Sequence, residues 1–165
     1  MRSLIFDTDV LSTFGKLEKL DLLKKLFPDT NFNISTSVHN ELFKAKDCGY
    51  EFVDYIMESQ MFKVTPLSQE EVDFLEKLRH ERRSLGPGEL ECISICKHRG
   101  SVIVTNDVVA KKVCDYYHID FIDLSMLLKS LIVSNILTSE EVRELIYEIE
   151  EKDKIIIKDV DDILN

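Results

Sequence analysis

Short apolar runs alternate with helical patterns along the whole chain, and no two neighbouring runs are joined by a hairpin signal. Strands that do not turn straight back need crossovers, and crossover helices cover both faces of a parallel sheet. The strand-like runs fall at 2–6, 31–35, 62–64, 101–105 and 120–122. Each is too short for a helix and rich in Ile, Val and Phe. The expectation is an α/β fold built on a mainly parallel sheet.

The helical segments between these runs are marked by spacing and by caps. Leu17, Leu20, Leu23 and Leu26, with Leu22 beside them, line one side of an amphipathic helix that stops before Pro28. Thr36 or Ser37 is placed to cap the next helix, packed through Val38, Leu42 and Ala45, with Glu41 between them. A helix over 49–58 follows. Ser68 and Glu71 have capping-box spacing ahead of a helix packed through Val72, Leu75 and Leu78. Gly86-Pro87-Gly88 breaks the chain, and Pro87 suits a helix start. Helices over 89–97, 108–117 and about 126–133 come next, then one capped by Thr138 or Ser139 and packed through Val142, Leu145, Ile146 and Ile149. The tail 151–165 has three readings: an edge strand at 155–157, a stripe of Ile156, Val160, Ile163 and Leu164 for a partner, or packing on its own domain.

At 165 residues the chain is one domain, assigned to 1–150 ahead of that tail. Asp7 and Asp9 interrupt the first apolar stretch, which excludes a signal peptide's layout. No apolar run reaches the ~18–20 residues of a spanning helix, so a cytoplasmic protein with no membrane contact is expected. The four cysteines lack zinc spacing, since Cys92 and Cys96 have no matching pair, and read as buried thiols. A net charge of −10 argues against a broad phosphate-binding surface. The basic residues do cluster, at Arg79, Arg82 and Arg83, at Lys97 and Arg99, and at Lys111 and Lys112.

Four acids stand at strand ends or helix starts: Asp7 in LIFDTDVL, Glu41 in VHNEL, Glu89 in LGPGELECISIC and Asp107 in VIVTNDVVAKKV. Carboxylates that converge at one sheet edge repel one another unless a cation holds them, which points to Mg²⁺ or Mn²⁺. The carboxyl edge of a parallel sheet, where strand order switches, is where ligands bind, and Asp7 ends a strand there. Asp9 reads equally as a helix cap or a supporting acid. Glu91 sits about 200° around the helix from Glu89 and is peripheral. Thr8 adjoins Asp7, while Thr105 and Asn106 offer hydrogen bonds to a water or carboxylate. Each of the four acids also has a bland reading, as a helix cap or a surface acid.

The same four segments, in this order, resemble the PIN-domain nucleases, and IDFIDLSMLLKSLIVSNILTSEEV is similar to the end of a subgroup of small prokaryotic members. The resemblance covers the chain to about Glu150. It implies a three-layer α/β/α fold and an Mg²⁺- or Mn²⁺-dependent ribonuclease, with the family's metal acids on Asp7, Glu41, Glu89 and Asp107. Many small relatives are VapC-type toxins held inactive by an antitoxin protein. RNA and an antitoxin are therefore the expected partners, and a homodimer stays open. The family often has Asn or Ser where Asp9 stands, which leaves one or two metal ions open.

On this reading one or two cations polarise a phosphate and activate water, while Arg82, Lys97 or Lys111 holds flanking phosphates. Two rivals belong to other classes. One is a PIN-like module that binds RNA or protein without turnover. The other is a haloacid-dehalogenase-like phosphatase, suggested by Asp7-Thr8-Asp9, although Leu11 stands where that family carries Thr or Val.

Overall fold

The computed structural model describes residues 2–165. Its centre is a sheet of five strands: β1 (Leu4–Phe6), β2 (Phe32–Ser35), β3 (Phe62–Thr65), β4 (Val102–Val104) and β5 (Phe121–Ile122). They run in the order β3-β2-β1-β4-β5, and every pairing is parallel. β1 and β4 are wholly apolar, as strands covered on both faces are, while β2 also carries the buried Asn33 and Ser35. Successive side chains on a strand point to opposite faces, so Phe6, Phe32 and Phe62 come together across β1, β2 and β3. Their ring centroids lie 5.1–5.8 Å apart.

Among the described residues ten helices complete the α/β/α arrangement. The first four are α1 (Thr8–Lys16), α2 (Leu20–Leu26), α3 (Thr36–Asp47) and α4 (Phe52–Glu58). Next come α5 (Gln69–Glu81), α6 (Pro87–Arg99) and α7 (Val108–Tyr117), followed by α8 (Leu124–Val133), α9 (Ser139–Asp153) and α10 (Val160–Leu164). The chain grows one way from β1 to β3 and then the other way from β4 to β5. Right-handed crossovers in opposite directions place their helices on opposite faces. The reversal also opens a crevice between β1 and β4 at their carboxyl ends.

Several local expectations are corrected. The first helix begins at Thr8, immediately after β1, and Leu17 lies in the turn before a separate α2. Gly15, near the end of α1, lets α4 cross closely, since a Cβ there would meet Ile56 Cδ1 at 2.8 Å. The cap of α3 is Ser35, whose Oγ accepts the Val38 N–H at 3.1 Å, and neither Thr36 nor Ser37 takes that role. The capping box of Ser68 and Glu71 is present, but Val72 is exposed and Glu71 is buried in its place. An ion pair to Arg99 is what allows a carboxylate on the packed side of α5.

The tail packs on the chain itself. Residues 155–157 add no strand to the described sheet, Ile157 is buried, and its N–H donates to Glu150 Oε1 at 2.9 Å. Ile163 and Leu164 of α10 are buried, whereas Ile156 points to solvent.

Candidate functional site

The β1–β4 crevice collects the acids because each is tied to the end of an element. Asp7 caps α1: its Oδ1 accepts the Thr8 N–H at 2.8 Å, and its own N–H donates to the Val104 carbonyl at 2.9 Å. The other oxygen, Oδ2, accepts the buried Thr105 hydroxyl at 2.9 Å. Thr105 Oγ in turn accepts the Asp107 N–H at 3.2 Å, and Asp107 caps α7 by accepting the Ala110 N–H at 2.7 Å. One threonine thus fixes the spacing of the two strand-end acids.

Asp9 turns into the crevice from the first turn of α1. Its carboxylate accepts the Val10 N–H at 2.6 Å and the Asn106 N–H at 2.9 Å, so it bridges α1 to the loop after β4. Glu41 reaches across from α3. Its Oε1 accepts the Gly88 N–H at 3.1 Å, and its Oε2 accepts the Thr8 hydroxyl. Glu89 stands in the first turn of α6, half-buried, where the helix dipole favours a negative group. Glu91 leaves the group: it accepts the Ser37 N–H at 2.7 Å and so serves the start of α3.

Electrostatics show that these acids sense one another. Burial, then the charges of Asp9 and Glu89, push Asp7 up to about 8. Burial is also the main cause that raises Asp9 to about 6, with Glu89 and Asp107 adding repulsion. Glu89 is raised by burial and by the charges of Glu41 and Asp107. Among the described residues none of the five acids pairs with a Lys or Arg. Nor, among those residues, do three donors already close around one point as an ion cage. The carboxylates instead rest on the backbone N–H groups nearest to them. An all-oxygen donor set with uncompensated charge fits a hard divalent cation.

The three expected phosphate contacts separate. Lys111 lies near the crevice and pairs with Asp123 at 3.0 Å. Lys97 donates to the Tyr117 carbonyl at 3.0 Å, near the end of α6 remote from Glu89. Eight residues of helix separate the two, about 12 Å along the axis. Arg82 rests over the Tyr116 ring, 5.7 Å from its centroid and at the far end of α7 from Asp107. Lys97 and Arg82 therefore stand away from the acids.

Two residues at the crevice were missed from sequence. Asp123 caps α8 through the Met126 N–H at 3.0 Å and pairs with Lys111. Its place directly after an apolar run, like that of Asp7, was the available signal. Gly88 is the other. A Cβ there would stand 2.8 Å from Glu41 Oε1 and 3.1 Å from Oε2, so glycine is what lets the Glu41 carboxylate reach the backbone of α6.

The family model DUF3368, described as a PIN domain, matches residues 3–160. The chain belongs to the PIN-domain family. Solved structures with the same fold include VapBC2 from Rickettsia felis, bound to a DNA fragment from its promoter. It is 14% identical, with a TM-score of 0.59, over 73% of this chain and 97% of that one. VapBC-1 from nontypeable Haemophilus influenzae is similar at 15% identity and TM-score 0.56, over 73% of this chain and 96% of that one. No curated protein sequence matches the chain.

In this PIN domain, Gly88→Ala should disturb the site with little effect on the fold. The methyl group would displace the Glu41 carboxylate from the Gly88 N–H. A smaller rise in melting temperature on adding Mn²⁺, with a parent-like melt in EDTA, is the expected result. An unchanged Mn²⁺ response would show that Glu41 contributes nothing to whatever Mn²⁺ binding the crevice has.

Proposed function

We propose that this PIN domain is a metal-dependent ribonuclease whose Asp7, Glu41, Glu89 and Asp107 hold one or two Mg²⁺ or Mn²⁺ ions. The observation that carries the reading is the convergence of mutually repelling, unpaired carboxylates at the switch in strand order. A divalent cation bound there supplies a Lewis acid for a phosphate oxygen and lowers the pKa of water. Asp7 and Asp107 are held at the spacing set by Thr105, and Glu41 is aimed by Thr8 and the Gly88 N–H. Asp9 adds a fifth carboxylate where relatives often carry a neutral residue, and it favours a site of higher negative charge. The likeness to VapC-type proteins extends the proposal to the toxin of a toxin–antitoxin pair.

Thermal melting with and without Mn²⁺, followed by incubation with single-stranded RNA, tests the reading. Ion that binds only the native state stabilises it by about 2.7 kcal/mol at a hundredfold excess over Kd. A Mn²⁺-dependent rise together with EDTA-sensitive cleavage is expected. A rise without cleavage of any RNA would move the protein to the class of silent PIN-like binding modules. No rise and no cleavage would end the metal-nuclease reading.

A further inference from the structure

A parallel sheet has two ends, and the acids occupy the carboxyl one. At the other, beside the amino ends of β1, β2 and β3, a cleft of about 450 Å³ is bordered by α2, the loop into β2 and the turn into β3. Its walls follow from local bonding. The turn puts Gln60 in the left-handed region, with φ of 54°, and the Gln60 N–H donates to the Met57 carbonyl at 3.2 Å. The loop into β2 is closed by the Thr30 N–H, which donates to the Phe27 carbonyl at 3.3 Å. Asn33 on the floor is already satisfied. Its Nδ2 donates to the carbonyls of Leu4 and Asn31 at 3.5 and 3.4 Å, and its Oδ1 accepts the Thr65 hydroxyl at 3.2 Å. Phe32 and Phe62 give the cleft an aromatic side, and Lys24 Nζ stands 5.5 Å from the Phe32 centroid.

No carboxylate lines this cleft, whereas the clefts beside the acids, between α2 and α9, and around Arg2 and Asp120 each carry at least one. On a chain of net charge −10 that is a local reversal of sign. Lys24 and Lys63 line it and are exposed. Among the described residues neither pairs with an Asp or Glu, and Asp21 on α2 is taken by Lys25 at 2.9 Å. Two ammonium groups without a carboxylate suit a phosphate, which a lysine binds as a point charge. The half-buried Phe62 and Met61 offer apolar surface to a flat ring. The exposed carboxamides of Asn31 and Gln60 bring both donors and acceptors, which is what the polar edge of a nucleobase needs. The volume is that of a site for one small ligand.

We propose that the cleft at the amino ends of β1, β2 and β3 binds a nucleoside monophosphate, with the phosphate on Lys24 and Lys63 and the base against Phe62 and Met61. Asn31 and Gln60 meet the polar edge of the base. The cleft lies at the opposite end of the sheet from the acids and shares no residue with them. It therefore stands whether or not the acids cleave RNA.

The test is isothermal titration of the full chain in EDTA, with AMP, GMP, CMP and UMP as probes and with adenosine and inorganic phosphate as the two halves of the first. EDTA keeps metal off the acids, so that no phosphate is drawn to the crevice. At least one monophosphate should bind at a single site with Kd below ~1 mM, and each half should bind at least tenfold more weakly. Lys24→Gln with Lys63→Gln should raise Kd at least tenfold. Lys44→Gln with Lys77→Gln removes the same charge from exposed positions on α3 and α5 and should leave Kd within twofold. Asp7→Asn should leave it within twofold as well. Melting curves accompany each variant, and Lys63→Glu alone is read if the cleft pair melts lower. No saturation by any of the monophosphates, equal weakening by both lysine pairs, no weakening by the cleft pair, or loss of binding in Asp7→Asn would each overturn the proposal. So would inorganic phosphate binding as tightly as the monophosphates, which would leave a bare anion site. A twelve-nucleotide RNA that displaces the monophosphate at a lower concentration than the monophosphate itself would assign the cleft to a strand and overturn it too.

Discussion

Asp7→Asn will melt higher than the parent in EDTA at pH 7.5, yet lose both the Mn²⁺-induced rise and the cleavage of RNA. Asn keeps the Thr8 N–H bond on its carbonyl, while its amide reverses the bond to Thr105, donating to the Oγ that in the parent donates to Asp7. What it removes is charge. The ordinary value for Asp is 3.8, and burial beside Asp9 and Glu89 raises Asp7 to about 8 in the native state. Between those limits the native state holds a proton that the unfolded chain has released, so stability falls as pH rises through the window. It is greatest at its acid end, and the loss is complete above about 8. Each pH unit costs about 1.4 kcal/mol, so the span from 3.8 to 7.5 sets about 5 kcal/mol as the upper bound of the gain expected for Asn.

The parent in EDTA should accordingly gain stability on acidification from pH 8 to 5, and saturating Mn²⁺ should flatten that slope. Cleavage should fall at least ~100-fold, the scale on which one preorganised electrostatic partner acts. A lower melt with undiminished cleavage would contradict both the burial of charge at Asp7 and its place in the site.

Arg99→Ala should cost about 3 kcal/mol, a drop of about 6–12 °C in Tm for a chain of this size. Glu71 is only 1% exposed, and a buried carboxylate without its cation is a costly group. Arg99 meets it with Nε on Oε1 at 2.6 Å and Nη2 on Oε2 at 2.8 Å, and also donates to the Pro66 carbonyl at 2.9 Å. The guanidinium side is 40% exposed, so water partly replaces what is removed and the cost stays at the low end for a broken buried pair. The same pair carries a pH signature. Burial pushes Glu71 up, but Arg99 and the Ser68 N–H outweigh it and hold the carboxyl below its usual 4.5. Its contribution is present above that value and is lost as pH falls, so the variant should show less acid destabilisation from this group than the parent. An Arg99→Ala melt within a degree of the parent would show that α5 and α6 are held by apolar packing alone.

The acids at strand ends were legible because a short apolar run followed by Asp has few alternatives: the run must be buried, and the Asp falls where it surfaces. Glu41 and Glu89 were marked by their places in helices that begin just after a turn, but helical spacing does not say which neighbour a half-buried acid faces. The place of Asp9 was left between two roles for the same reason. Its Asn106 partner is 97 positions away in sequence and arrives only when β4 pairs with β1. Val72 and Glu71 show the opposite failure. Periodicity alone places an apolar residue inside, but an arginine on another helix can make burial of the adjacent acid favourable.

Periods of two and of three to four residues, with caps and breaks between them, were enough to establish an α/β chain with a parallel sheet and its strand-end carboxylates. Those are local properties, set by backbone hydrogen bonding and by which side chains water rejects. The strand order β3-β2-β1-β4-β5, the approach of Glu41 to Gly88, the remoteness of Lys97 and Arg82, and the docking of the tail beside Asp9 and Asp107 were decided in three dimensions. Each depends on pairings between distant segments, whose energies arise from packing that no single stretch of chain contains.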